Sequence, residues 1–165
     1  MGDLFMTDKE KLLSELKAAF EKTKKQLKFK ATFEEIDDIC YIEDAILSSR
    51  AVSSRYDRQL INRIVETSYA WLSGLHSLVF PSQDLISMHE SKTISQEERK
   101  EIMKIMSKIM YFTRKSKRIA FTKNYAQLEG EFVDEIIDFY KKIFVPFMHK
   151  NQLQLENFWQ KESEK

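Results

Sequence analysis

The 48 residues from Phe33 to Phe80, FEEIDDICYIEDAILSSRAVSSRYDRQLINRIVETSYAWLSGLHSLVF, decide the fold. They hold one glycine, Gly74, and no proline. Turned at about 100° per residue, Phe33, Ile36, Cys40 and Leu47 share a face with Ile61, Ile64, Val65, Leu72, Leu75 and Val79, with no slip of phase between the two sets. A turn between them ordinarily loses that register. The stretch reads as one very long helix over about 33–80, roughly 70 Å at 1.5 Å per residue. The alternative is a helical hairpin broken near Ser48, Ser49, Ser53 and Ser54, which are mediocre helix formers. Pro81 ends the helix, and residues 81–94, with Ser82, Asp84, Ser87 and Ser91 around the apolar pair Leu85 and Ile86, read as a connecting loop.

The same scarcity of turn residues runs through the whole chain, whose 165 residues include 3 Gly and 2 Pro against 42% hydrophobic and 32% charged residues. Hairpins and glycine-rich phosphate loops need residues that are absent, so the class is all-α. Helix starts are marked where a Ser or Thr is followed three residues later by Glu: Thr7 with Glu10, Thr32 with Glu35, and Ser95 with Glu98. A first helix of about 8–29 carries Leu12, Leu13, Leu16, Ala19 and Phe20 on one face. Behind Ser95, Ile102, Ile105, Ile109 and Phe112 form another such face, and Phe132, Val133, Ile136 and Tyr140 a further one that Pro146 should stop or kink. The expected object is an antiparallel bundle of four to five helices, one domain over residues 1–165. It ends in an aromatic-bearing segment from about 147, with a short helix over about 152–160.

Several chemistries are excluded by composition. A lone cysteine, Cys40, rules out a disulfide framework and multi-thiolate metal sites, and its apolar position predicts an inert buried thiol. No Walker loop, dinucleotide fingerprint or Gly-x-Ser-x-Gly elbow can be built from Gly2, Gly74 and Gly130. Three residues before His76, His89 and His149 stand Ser73, Ile86 and Pro146, so the Glu-x-x-His pairing of di-iron bundles is missing. No cofactor is expected. No run approaches the roughly 18 apolar residues that span a bilayer, and the N-terminus lacks the order of a signal peptide, so the expectation is cytoplasmic, with no membrane partner. Gly2 invites acylation, but Met6 stands where the acceptor pattern wants Ser or Thr.

Charge is segregated along the chain. Residues 32–47 hold six acids and no base, residues 102–126 seven bases and no acid, and residues 127–140 five acids and no base. Lys104, Lys108, Tyr111, Lys115 and Arg118 follow helical spacing in one stripe, with Arg114 at its edge, which suits a phosphate backbone. The plainer reading sets this basic face beside an acidic one, because the net charge of +1 is unlike a dedicated nucleic-acid binder. Glu131, Asp134, Glu135 and Asp138 have the spacing to share a divalent cation, but they project away from the apolar face toward water. No metal site is expected.

Glu43 lies near the centre of the apolar face. On a continuous helix Arg50, Ser54 and Asp57 follow it on that face, making either a polar layer in which Arg50 satisfies Glu43 and Asp57, an exposed waist, or a polar pocket. Beyond Pro146, Leu155, Phe158 and Trp159 either dock on the chain's own helices or seat in a partner. The favoured reading is a non-enzymatic protein acting through protein-protein interaction, with itself as a homodimer or with another protein. The alternative is a nucleic-acid-associated protein using the basic stripe, and a weaker one is a Mg²⁺-dependent helical nucleotide hydrolase.

Overall fold

The computed structural model describes residues 7–165, so Gly2 and Met6 lie outside the described residues. The all-α class holds, with no strand among the described residues. The helices are α1 (Asp8–Leu27), α2 (Phe33–Cys40), α3 (Ile42–Ser49), α4 (Tyr56–Tyr69), α5 (Leu72–Val79), α6 (Leu85–Lys92), α7 (Gln96–Ala120), α8 (Ala126–Phe139) and α9 (Val145–Ser163). A π-helical turn, Tyr140–Phe144, joins the last two.

Local signals survive intact. Thr7 and Thr32 form reciprocal caps with Glu10 and Glu35, and Ser95 does the same with Glu98. The long helix over 33–80 does not exist. In its place stand α2, α3, α4 and α5. The first break is at Tyr41, held at φ 51°, whose amide donates to Asp37 O at 2.8 Å. Asp37 Oδ1 then accepts the Glu43 amide at 2.8 Å and starts α3. The second break is at Arg50, at φ 55°. Both residues are left-handed without being glycine, a conformation that costs roughly 1–2 kcal/mol. Of the ten residues on that face, Ile36, Cys40, Ile61, Ile64 and Leu75 are core residues, on three helices rather than one, while Phe33, Leu47, Val65, Leu72 and Val79 are half-buried.

The expected loop over 81–94 contains α6. Asp84 Oδ1 caps it by accepting the Ser87 amide at 2.8 Å, while Ser82 hydrogen-bonds the same carboxylate. Pro146 does not stop its helix. The backbone widens just before it, the Val145 amide donating to Tyr140 O, and proline sits in the first turn of α9, where its missing N–H costs least. The last helix therefore begins at Val145 rather than near Gln152.

The chain forms two compact units whose borders fall inside α4, α7 and α8. The first is the chain up to Thr67 with Ser116–Ile137. Its core includes Leu16, Ile36, Phe132, Val133 and Phe20, the last edge-on to Phe29 and Phe33 at 5.7 and 5.2 Å. Here α8 approaches the end of α1 so closely that a Cβ on Gly130 would lie 1.9 Å from Leu27 O. The second unit, Ser68–Lys115 with Asp138–Lys165, has a core including Leu75, Ile102, Ile109, Phe112 and Tyr140. The Tyr140 hydroxyl donates to Ser68 Oγ at 2.9 Å, which satisfies a phenol buried at 0% exposure.

Two glycine substitutions should move stability in opposite directions. Gly130→Ala drives a carbon into backbone and is expected to lower the unfolding free energy by roughly 1–3 kcal/mol or more. Gly74→Ala meets nothing within 4 Å and is expected to raise it by about 0.5–1 kcal/mol, the ordinary helix preference for alanine. Urea denaturation of both variants beside the parent chain checks the pair.

Candidate functional site

The first turn of α8, in the first unit, carries a buried acid, Glu129. Gly130, its neighbour, lets the α8 backbone press against α1, and Glu129 is left 1% exposed. Arg58 on α4 meets it, Nη1 standing 2.6 Å from Oε1, a charge contact rather than an aligned hydrogen bond. Neither carboxylate oxygen has a hydrogen-bond partner in the protein. The Arg58 guanidinium also lies 4.8 Å from the centre of the Tyr125 ring. Arg55 reaches both Asp57 oxygens at 3.3 Å and donates to the Tyr125 hydroxyl at 3.1 Å. One network thus joins Arg55, Asp57, Arg58, Tyr125 and Glu129.

Its two carboxylates are driven apart. Burial pushes Glu129 up to about 7 and the nearby Asp57 charge adds to this, while Arg58 and Arg55 oppose it. Burial also works to raise Asp57, but hydrogen bonds from Arg55 and the Arg58 amide, with the charges of both arginines, hold it below its ordinary value. Such a pair can hold and release a proton near neutrality. Enclosed as Glu129 is, that proton is coupled to folding rather than offered to a substrate.

The residues singled out from sequence fall in different places. Glu43, Arg50, Ser54 and Asp57 do not form a layer: Glu43 is half-buried at the start of α3, Arg50 and Ser54 are exposed, and only Asp57 is buried. Among the described residues no ion pair joins Arg50 to either acid, and the base that meets Asp57 is Arg55. The layer presupposed a continuous helix, which the break at Arg50 removes. Glu129 was legible as an anomaly, since it is in phase with Phe132, Val133 and Ile136 on α8.

On α7, Lys104 and Arg114 are exposed and Tyr111 is 45% exposed. The Tyr111 ring is flanked by Lys108 Nζ at 4.5 Å and Lys115 Nζ at 5.5 Å, so cations already occupy a surface a base would stack on. Arg118, on the same helix, is exposed and falls in the first unit.

Of the C-terminal residues in the second unit, Leu155 is buried, Phe158 half-buried and Trp159 exposed. The Trp159 indole donates to Glu90 Oε1 at 2.8 Å, and its ring stacks on His89 at 6.4 Å, with Phe158 at 6.5 Å. Among the acids of α8, Asp134 accepts the amides of Lys30 and Ala31 at 2.8 and 3.3 Å, and Asp138 pairs with Lys142 at 2.6 Å. Among the described residues no group of three or more His, Cys, Asp or Glu side chains is placed to hold a metal ion, and no helix is long and apolar enough to cross a membrane. Cys40 is buried, and that burial pushes its thiol up to about 11, which leaves it protonated and unreactive.

Stability should follow the Glu129 proton. The unfolded chain releases it near pH 4.5 and the folded chain near pH 7, so between those values the native state binds a proton the unfolded state has lost. Stability is full below that window and falls as pH rises through it, by about 1–3 kcal/mol. Denaturation of Glu129→Gln across the same pH range should lack this fall, and parallel curves for the two proteins would refute the assignment. No protein-family model, curated protein or solved structure matches this chain, so its function is read from the arrangement of its own side chains.

Proposed function

We propose that this is a non-enzymatic helical protein that acts by protein-protein interaction, its first partner being a second copy of itself. The observation that carries this is an inversion in α6, which buries Ser87 and Ser91 and turns out Leu85 at 70% exposure, Ile86 at 60% and Met88 at 44%. Hydrogen bonds hold it that way. Ser91 Oγ donates to Leu78 O at 2.9 Å, and Arg99 donates to Val79 O and Ser91 O at 2.8 and 2.7 Å, tying α6 to α5. Phe80, in the link between the two helices, is 54% exposed, and Trp71, before α5, is also exposed.

Charge selects the partner. From Ser68 to His89 the only formally charged residue is Asp84, whose carboxylate is engaged in capping α6. No Lys or Arg lies between Arg63 and Lys92, so the flanking bases that an anionic lipid surface or a phosphate backbone needs are missing. A two-fold interface sets a patch against itself, and a patch without charge meets no like-charge repulsion there.

Sedimentation velocity of the full chain is expected to show a concentration-dependent dimer. Leu85→Glu combined with Ile86→Glu should weaken it roughly 30-fold or more, in line with the ~2 kcal/mol that central apolar anchors carry, and leave the helix content unchanged. A parent chain monomeric at every concentration would overturn the proposal.

A second reading rests on α7, where the side chains of Lys104 and Arg114 are exposed with no acid within 4 Å among the described residues. A nucleic-acid role predicts retention of RNA or DNA that falls steeply with salt and is lost in a Lys104→Glu, Arg114→Glu variant. Failure to retain either at low salt ends that reading.

A further inference from the structure

Helices α3 and α4 enclose an open cleft of about 280 Å³ within the first unit. Ile42 and Ile46 from α3, with Tyr56 and Leu60 from α4, form its apolar walls, each of them almost wholly buried. Arg63 and Glu66 from α4 also line it, beside Ala45, Ser49, Gln59 and Asn62. Arg63 is fixed through Nε, which donates to Cys40 O at 2.6 Å, and its terminal nitrogens have no partner among the described residues. Glu66, one turn further along α4, is exposed and likewise unpaired. Opposite charges three residues apart on a helix can pair, for about 0.2–0.5 kcal/mol. Here the hold of Cys40 O on Arg63 accompanies the absence of that pair, and an unmatched guanidinium and an unmatched carboxylate line the same slot.

The ligand that complements this has a small size, one negative and one positive group close together, and an apolar body. The volume lies just under the roughly 300 Å³ at which small-molecule sites begin, which suits a single amino acid and not a nucleotide. An apolar carboxylic acid would leave Glu66 unmatched, and an apolar amine would leave Arg63 so. We propose that the α3–α4 cleft binds a free apolar α-amino acid of the leucine or phenylalanine class. Its carboxylate meets the terminal nitrogens of Arg63, its ammonium meets Glu66, and its side chain lies against Ala45, the half-buried apolar residue of the lining. A peptide terminus carries only one of the two charges beside its side chain, so the free amino acid is the form that fits. This site is independent of the apolar surface on α6.

Amide-resolved NMR titration of the full chain tests the assignment, with L-leucine and L-phenylalanine as probes and N-acetyl-leucine and leucinamide as the two half-charged controls. The expected result is saturable shifts at about millimolar ligand, confined to residues 42–49 and 56–66, with both controls about tenfold weaker. Glu66→Gln, which removes no internal bond, should weaken leucine about tenfold while leaving N-acetyl-leucine as it was. Ala45→Leu, which fills the cleft from the α3 side, should abolish binding of every probe with the fold intact by the same spectra. Absence of saturable shifts at about 20 mM leucine or phenylalanine overturns the proposal. So does equal binding of N-acetyl-leucine, which would make the cleft blind to the ammonium, and so do shifts confined to other residues.

Discussion

Helix α8 meets the end of α1 with almost no room between the backbones, the Leu27 carbonyl oxygen lying 1.9 Å from where a β-carbon on Gly130 would stand. Only glycine permits that approach, and its neighbours inherit the consequences. Glu129, one residue earlier, is carried out of water. Phe132 and Val133, just beyond, become fully buried. Asp134 comes within reach of the chain leaving α1 and accepts the amides of Lys30 and Ala31. A buried carboxylate is thus a by-product of a close helix crossing, and the Arg58 guanidinium 2.6 Å away offsets part of its desolvation. Opposing forces of this kind, burial and the Asp57 charge against the cations of Arg58 and Arg55, push the Glu129 carboxyl up from 4.5 to about 7.

Six acids in this chain serve its corners. With so few glycines and prolines, turns are built from side chains: Asp37 on the Glu43 amide, Asp84 on the Ser87 amide, Asp134 on the α1–α2 connection, and Glu10, Glu35 and Glu98 in the capping boxes. Lys28, Tyr41, Arg50 and Asn124 supply the left-handed backbone that glycine would ordinarily supply. An acidic block such as residues 32–47 therefore resembles a charged face in the sequence, yet two of its members, Glu35 and Asp37, accept backbone amides.

That explains what could and could not be read from the residues. Capping boxes are local, and all three were legible because each is complete within four residues. Periodicity located Ile36, Cys40, Ile61, Ile64 and Leu75 in the core, since burial acts on each helix face separately. Continuity was not legible. A break at a non-glycine residue is a small local cost decided by packing elsewhere, and the phase agreement across Tyr41 and Arg50 carried no information about the chain between. The polar layer failed for the same reason, having borrowed Arg50 from a helix that ends there. Asp57 is buried, but its partners are not those of that layer: Tyr125 and Glu129 reach the α4 residues by tertiary contact, which spacing along one helix does not encode.

The aromatic tail and α6 bear on the functional reading together. Trp159 and Phe158 pack against His89 and Glu90, so the chain supplies from its own C-terminus the cover for one part of α6. It supplies none for Leu85 and Ile86, which are more than half exposed while the serines of the same helix are enclosed. Burying apolar area yields roughly 25 cal/mol per Å², so a helix that forgoes this within its own fold is held by other forces, here the hydrogen bonds of Ser91 and Arg99. Such an arrangement leaves the hydrophobic gain of Leu85 and Ile86 unrealised among the described residues, and this is what the proposed self-association would draw on.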